Sequence, residues 1–281
     1  MEAMTGNKLS VIFTAALLAA AGCGDKTAAP AAPAAGGGAG KAPAAAAAPA
    51  AGGGGAYDAA KSKASVKITA KWAGAKPAPV ALVFSGDTFC TSAHTSPIMS
   101  ERFVVNDDTT VPSAFVWAAK GPHEGMTGFP APAAFTLDQH GCMYVPHVFG
   151  VRVGQEFAIK NSDGTTHNVH AKPSMQDGFN HAQATGATNN EKFAKKERAI
   201  PFNCDIHSWM SAYGFVLEHP FFGATAADGS VTISGLPAGE YTFKVWHESF
   251  TAGVKELAGE VKVTLKDGES VSKEVTLTEV K

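Results

Sequence analysis

Cys204-Asp205-Ile206-His207-Ser208-Trp209-Met210 sets a thiol, an imidazole and a thioether three residues apart on one short stretch. Soft sulfur favours Cu(I), and imidazole accepts copper in either oxidation state. Two imidazoles, one thiolate and a weakly held thioether together let the ion change charge with little rearrangement. One more histidine is needed. Asn161-Ser162-Asp163-Gly164-Thr165-Thr166-His167-Asn168-Val169-His170 offers it at the end of a turn that runs into an alternating segment. A cysteine, histidine and methionine this close can reach one ion only if the backbone turns tightly, and tight turning aims N–H groups at the sulfur. Taken singly the residues have plainer uses: Cys204 as a buried thiol or half of a disulfide, Met210 as core, His167 as an ordinary histidine. Their joint order is what points to copper.

His167 and His170 are three apart, so on one strand they face opposite sides and cannot both reach the ion. Together with Tyr144-Val145-Pro146-His147-Val148-Phe149-Gly150-Val151-Arg152-Val153-Gly154-Gln155-Glu156, the two stretches resemble the cupredoxins, the plastocyanin- and amicyanin-like type 1 copper proteins. The resemblance covers roughly 132–219 and implies a Greek-key β-sandwich holding one copper through His167, Cys204, His207 and Met210. It chooses His167 over His170 because that ligand precedes Asn-Val, and it gives Asn168 the task of tying its loop to the backbone near Asp205. It implies single-electron transfer without catalysis, between redox proteins such as c-type cytochromes or copper and haem oxidoreductases. His170 is then left at a rim. His140, His181 and His219 have ordinary uses open to them, while His147, His247 and Cys142 stay open as further neighbours of the copper.

The chain has 281 residues and a net charge of −2, with 23 basic against 25 acidic residues, which gives no general reason to expect nucleic acid or a polyanion. Residues 1–23 read as a secretory signal: Lys8 precedes an apolar run too short for a permanent span, and Leu18-Ala19-Ala20-Ala21-Gly22-Cys23 resembles a bacterial lipobox. Cys23 would then carry the lipid, anchoring the chain to a membrane and facing it to the periplasm or the cell surface. An ordinary cleaved signal is the alternative. Residues 24–62, rich in Ala, Pro and Gly, have no apolar period and read as a tether.

From 63 onward the texture becomes all-β, with short runs of β-branched and aromatic residues broken by Gly, Pro and Asp. Strands are expected at 66–72, 80–84, 102–105, 113–118, 134–137, 148–153, 156–160, 167–171, 196–202, 212–217, 231–234, 241–246, 260–265 and 270–277. A short helix is possible at 191–196. These are too many strands for one small sandwich. The segment 224–243, with Asp228-Gly229 and Leu236-Pro237-Ala238-Gly239-Glu240-Tyr241, resembles the carboxypeptidase-regulatory-like β-sandwiches. The expectation is a copper domain at 132–219 inserted into a second sandwich made of 63–131 and 220–281. One enlarged sandwich is the competitor.

Cys90 and Cys142 remain. In an exported chain they most simply form a disulfide worth about 4 kcal/mol in the chain-entropy model; free thiols beside copper are the alternative. The polar stretch 171–199, with Lys192, Lys195, Lys196 and Arg198, reads as a solvated loop or a docking face for an acidic partner. Trp209 would be an apolar contact beside the copper or a packing residue. Two other functions compete with electron transfer: copper handling, in which Met and His residues bind Cu(I) for delivery, and a surface binding module.

Overall fold

The computed structural model describes residues 54–249 and 254–280. The expected signal at 1–23 with Cys23, and the expected tether as far as 53, lie outside the described residues. Alternation of apolar and polar residues builds almost everything: in β1 (Ala64–Trp72), Ala64, Val66, Ile68 and Ala70 all turn inward and are fully buried. The strands that follow are β2 (Phe115–Lys120), β3 (Thr136–His140), β4 (Met143–Val145), β5 (Val148–Arg152), β6 (Phe157–Asn161), β7 (His167–Ala171), β8 (Phe179–Gln183) and β9 (Thr188–Glu191). Then come β10 (Glu197–Asn203), β11 (Ser211–Leu217), β12 (Phe222–Ala224), β13 (Ser230–Leu236), β14 (Gly239–Glu248), β15 (Glu256–Leu265) and β16 (Ser270–Val280). The described α-helix, α1 (Thr88–Ser92), is a single turn capped by Asp87.

Two sheets enclose the segment that carries the copper motifs. One has the order β5-β11-β10-β7-β8, the other β4-β3-β6-β9. Between them Leu137, Tyr144, Phe149, Phe157, Ile159, Phe193 and Phe202 form a core that reaches Cys204 and Met210. The third sheet, β12-β2-β14-β15-β16-β1-β13, draws strands from both sides of that segment in sequence. β1 pairs in parallel with β16 and antiparallel with β13, and makes no ladder with the other two sheets. The end strands β12 and β13 come back into contact, so this sheet curls around a core of its own that includes Ile68, Val116, Phe243, Val245 and Leu265. A third cluster lies between those two cores: Phe115, Trp117 and Trp246 from the seven-stranded sheet meet Val148, Phe215 and Leu217 from β5 and β11, with Phe115 and Phe215 stacked at 3.9 Å.

Several expectations need correction. The expected strands 80–84 and 102–105 do not form; their span from 73 to 112 is irregular apart from α1, a bridge between Ala81 and Met99 and another from Thr110 to Lys71. Val80, Val83 and Val104 are exposed there, while Phe103 and Val105 pack into the core of the seven-stranded sheet without pairing with it as a strand. The helix at 191–196 is replaced by the end of β9 and a turn. β8 and β9 occupy what read as one long polar loop; their Asn- and Gln-rich sequences pair at sheet edges, where few apolar residues are needed. The tether ends earlier than 62: Tyr57 already packs against Phe129 and Phe221 and donates its hydroxyl to the Gly235 carbonyl. Among the described residues no helix is long and apolar enough to cross a membrane.

Candidate metal centre

His167 opens β7 just after the turn that ends β6, while Cys204 and His207 lie in the connection from β10 to β11. β10 pairs with both β7 and β11, so the two motifs arrive at the same end of one sheet. The second connection closes on itself, with the Cys204 N–H on the Met210 carbonyl at 3.3 Å and the Met210 N–H on the His207 carbonyl at 3.0 Å. Met210 is fully buried in the same core as Cys204.

The Nδ1 atoms of His167 and His207 lie 2.8 Å apart, and the Cys204 sulfur is 3.9 Å from His207 Nδ1. Each ring turns its other nitrogen to a carboxylate: His167 Nε2 donates to Asp163 at 2.8 Å, and His207 Nε2 lies 3.3 Å from Asp87. A carboxylate on Nε2 fixes the proton there and leaves Nδ1 as the atom offered to an ion. Burial opposes a charge on His167, but Asp163 and the sulfur of Cys204 outweigh it and lift the imidazole to about 9. Burial and the charge on His167 lower His207, against the pull of Asp87. Burial would raise the Cys204 thiol, yet the bond to His167 and the backbone N–H groups of Asn168, His207 and Ile206 hold it below its ordinary value. The Cys204 sulfur and two imidazole nitrogens therefore converge, and a cation could take the place of the proton between the two rings without moving either carboxylate. The donor set fits copper.

Asn168 holds the two loops together. Its Oδ1 accepts the Asp205 N–H at 2.6 Å and the Ile206 N–H at 3.3 Å, and lies 3.3 Å from the Cys204 sulfur. Its Nδ2 donates to Asn180 and to the Asp205 carboxylate. His170 is turned away and pairs with Asp205 at 2.9 Å. The side chains of His147 and His247 do not join the donor set: His147 binds the buried Glu248 carboxylate and the Ser211 carbonyl, and His247 Nδ1 donates to the Glu248 carbonyl.

Cys90 and Cys142 form a disulfide, and it lies against the centre. The Cys90 sulfur is within 4.8 Å of ligand atoms of both His167 and His207, and the Cys142 sulfur is equally close to Asp163 and His167. Both sulfurs are spent on each other, so neither offers a thiolate. The disulfide instead fixes α1 as a cap over the imidazoles, with Asp87 accepting the Cys90 N–H and the Thr165 hydroxyl. Gly164 makes this approach possible, since a Cβ there would come within 2.6 Å of the Phe89 ring. Asp163 steadies the other side by accepting the N–H groups of Gly141 and Cys142 at 2.7 Å.

The reading of the sequence missed Asp87 and Asp163. Asp163 stands four residues before His167 in the quoted motif, a spacing that could have marked it; nothing near His207 in sequence announces Asp87.

No family model and no curated protein matches the chain. Parts of it are similar to solved structures of copper proteins. A copper-containing nitrite reductase from Thermus scotoductus SA-01 is 20% identical over 32% of this chain and 23% of that one, with a TM-score of 0.29. A single-residue mutant of amicyanin in its Cu(I) form is 18% identical over 31% of this chain and 85% of that one, with a TM-score of 0.28. A purple cupredoxin from Nitrosopumilus maritimus is 18% identical over 29% of this chain and 98% of that one, with a TM-score of 0.26. The chain thus spans less than a quarter of the nitrite reductase's length. What the site can do follows from its own geometry.

Proposed function

We propose that this chain is a copper protein of the type 1 kind that carries single electrons, with 132–219 as a copper domain inserted into a sandwich made of 63–131 and 220–281. The observation that carries this reading is the convergence of Cys204, His167 and His207 with the Nε2 atoms of both rings turned to buried or half-buried carboxylates. His167, Cys204 and His207 would hold the ion, with Met210 as the weak fourth ligand. Copper bound there would supply a one-electron Cu(II)/Cu(I) couple. Asp163 and Asp87 hold the rings, Asn168 holds the loops in register, and the disulfide-fixed cap excludes water. Such a rigid shell suits a centre that changes charge without moving.

The reading also includes export, a lipid on Cys23 as the membrane anchor, and redox proteins such as c-type cytochromes or copper and haem oxidoreductases as partners. It assigns the chain no substrate chemistry of its own. Copper handling is the less favoured alternative, because both imidazoles are buried, His207 at 3% exposure, and an incoming acceptor has no open ligand to attack. The deciding experiment is repeated electrochemical cycling of the copper-loaded full chain in the presence of a Cu(I) chelator. A carrier keeps its metal through reversible one-electron waves. Loss of copper to the chelator on the first reduction would put copper handling in its place.

A further inference from the structure

The donor atoms of the centre are all buried, so an electron has to enter through a side chain that covers them. Trp209 is placed to be that side chain. Its ring lies 4.9 Å from that of His207, tilted by 31°, and its indole N–H donates to the Cys142 carbonyl at 3.0 Å, which fixes its orientation. The indole also lines a cavity of about 700 Å³, whose walls include Tyr213, Phe103, Met99, Val104 and Arg102. That volume is in the range of small-molecule sites, and the walls combine aromatic edges with a few polar groups. Met99 is 47% exposed and Val104 38%, which leaves apolar surface at the mouth uncovered by the described residues.

We propose, resting on the copper reading above, that this cavity binds a neutral phenol or hydroquinone as an electron donor to the centre. Charge argues for a neutral guest, since the two cations among the described walls are both paired, Arg102 with Glu248 at 3.3 Å and Lys76 with Asp107. Shape argues for a planar ring between Trp209, Tyr213 and Phe103. A phenol also needs somewhere to leave its proton. Behind the cavity, and sharing the walls Ser100, Arg102, Trp209 and Ser211 with it, is a void of about 10 Å³ that Glu101 and His147 also line. In the step assigned here, the phenolic O–H bond breaks, the proton passes by way of water to the Glu101 carboxylate, which lines the void but not the cavity itself, and one electron passes through the Trp209 ring to the oxidised centre. A phenoxyl or semiquinone radical and a reduced centre result; the oxidised centre of a second copy of the chain takes the semiquinone to quinone, and the second phenolic proton passes to water. Burial raises the Glu101 carboxyl, against the nearby charge of His147, which brings it closer to the basicity a proton acceptor needs.

The test uses the full chain and 1,4-hydroquinone under anaerobic conditions. In the metal-free chain, saturation-transfer NMR should show hydroquinone in contact with the protein, and Val104→Trp and Met99→Trp, which fill the cavity from two walls, should abolish the signal. In the copper-loaded chain, bleaching of the thiolate-to-copper band should saturate with hydroquinone and slow by about tenfold or more in the filled variants, because a bound donor reacts as a held pair. Trp209→Leu, which removes the ring assigned to carry the electron, should slow the bleaching at saturating hydroquinone to a similar degree. Bleaching that stays linear in hydroquinone and unchanged in Val104→Trp and Met99→Trp overturns the site while leaving the copper reading intact, as does a metal-free chain with no NMR contact. A chain that never develops the band overturns the copper reading and this inference with it.

Discussion

His167 and His207 face each other through Nδ1 at 2.8 Å, and each is held from behind by a carboxylate on a different element, Asp163 in the turn after β6 and Asp87 at the start of α1. The site is thus assembled from three separated pieces of chain, of which the cysteine loop is only one. Removing a backing carboxylate should therefore weaken metal binding without touching a ligand.

Asp163→Asn keeps the size of the side chain and removes the charge that fixes His167. Loss of this kind of support typically costs about 10- to 100-fold in metal affinity. Competition with a chromophoric chelator should register a drop of that order. An unchanged affinity would mean that His167 is held by packing alone.

Asn168→Ala removes the oxygen that accepts the Asp205 and Ile206 N–H groups. Leaving such donors unpaired costs about 1–3 kcal/mol. Denaturant unfolding of the metal-free chain should show that loss, and the copper-loaded variant should release its metal faster to a chelator. Equal release rates would remove Asn168 from the task of holding the loops.

Cys90→Ser with Cys142→Ser opens a link across 52 residues of chain. Chain entropy alone makes this worth about 4 kcal/mol. The double variant should unfold at clearly lower denaturant, and its His207 should become reactive to an imidazole-modifying reagent as the cap loosens. Protection equal to that of the parent chain would show that α1 stays in place without the disulfide.

His147 and Glu248 form a buried pair between the start of β5 and the end of β14, with Arg102, Glu101 and Tyr213 beside them. Burial opposes the charge on each partner, but their mutual bond wins, raising His147 above 6.5 and lowering Glu248 below 4.5. The raised histidine stabilises fully below 6.5 and loses its contribution as pH rises through its folded value; the lowered glutamate stabilises fully above 4.5 and loses its contribution as pH falls through its own. The pair therefore contributes most between those limits. Glu101, whose carboxyl is raised by burial and in part by the charge of Glu248, adds the opposite slope in acid, and the variant loses the Glu248 part of it. Stability of Glu248→Gln relative to the parent, followed from acid to alkaline pH, should show the largest deficit in that window. A deficit independent of pH would remove the ion pair from the account.

The convergence of His167, Cys204 and His207 was legible because Cys204 and His207 are close in sequence and His167 stands in a recognisable turn. Strands such as β1 and β14 were legible for a related reason, since alternation marks a half-buried strand wherever it lies. The cap was not legible. Its residues 73–112 contain β-branched runs that suggested strands, while the features that fix it, Asp87 on His207 and the Cys90 sulfur beside both imidazoles, depend on contacts between residues far apart in sequence. β8 and β9 were hidden for the opposite reason: edge strands of Asn and Gln lack the apolar alternation that marks a half-buried strand.

The central claim is that Cys204 holds copper as a thiolate between His167 and His207. The visible absorption spectrum of the full chain with Cu(II), recorded beside that of Cys204→Ser, tests it most directly. An intense thiolate-to-copper band in the parent that is absent from the variant is the predicted result. A colourless parent, or a band that persists in Cys204→Ser, would contradict it.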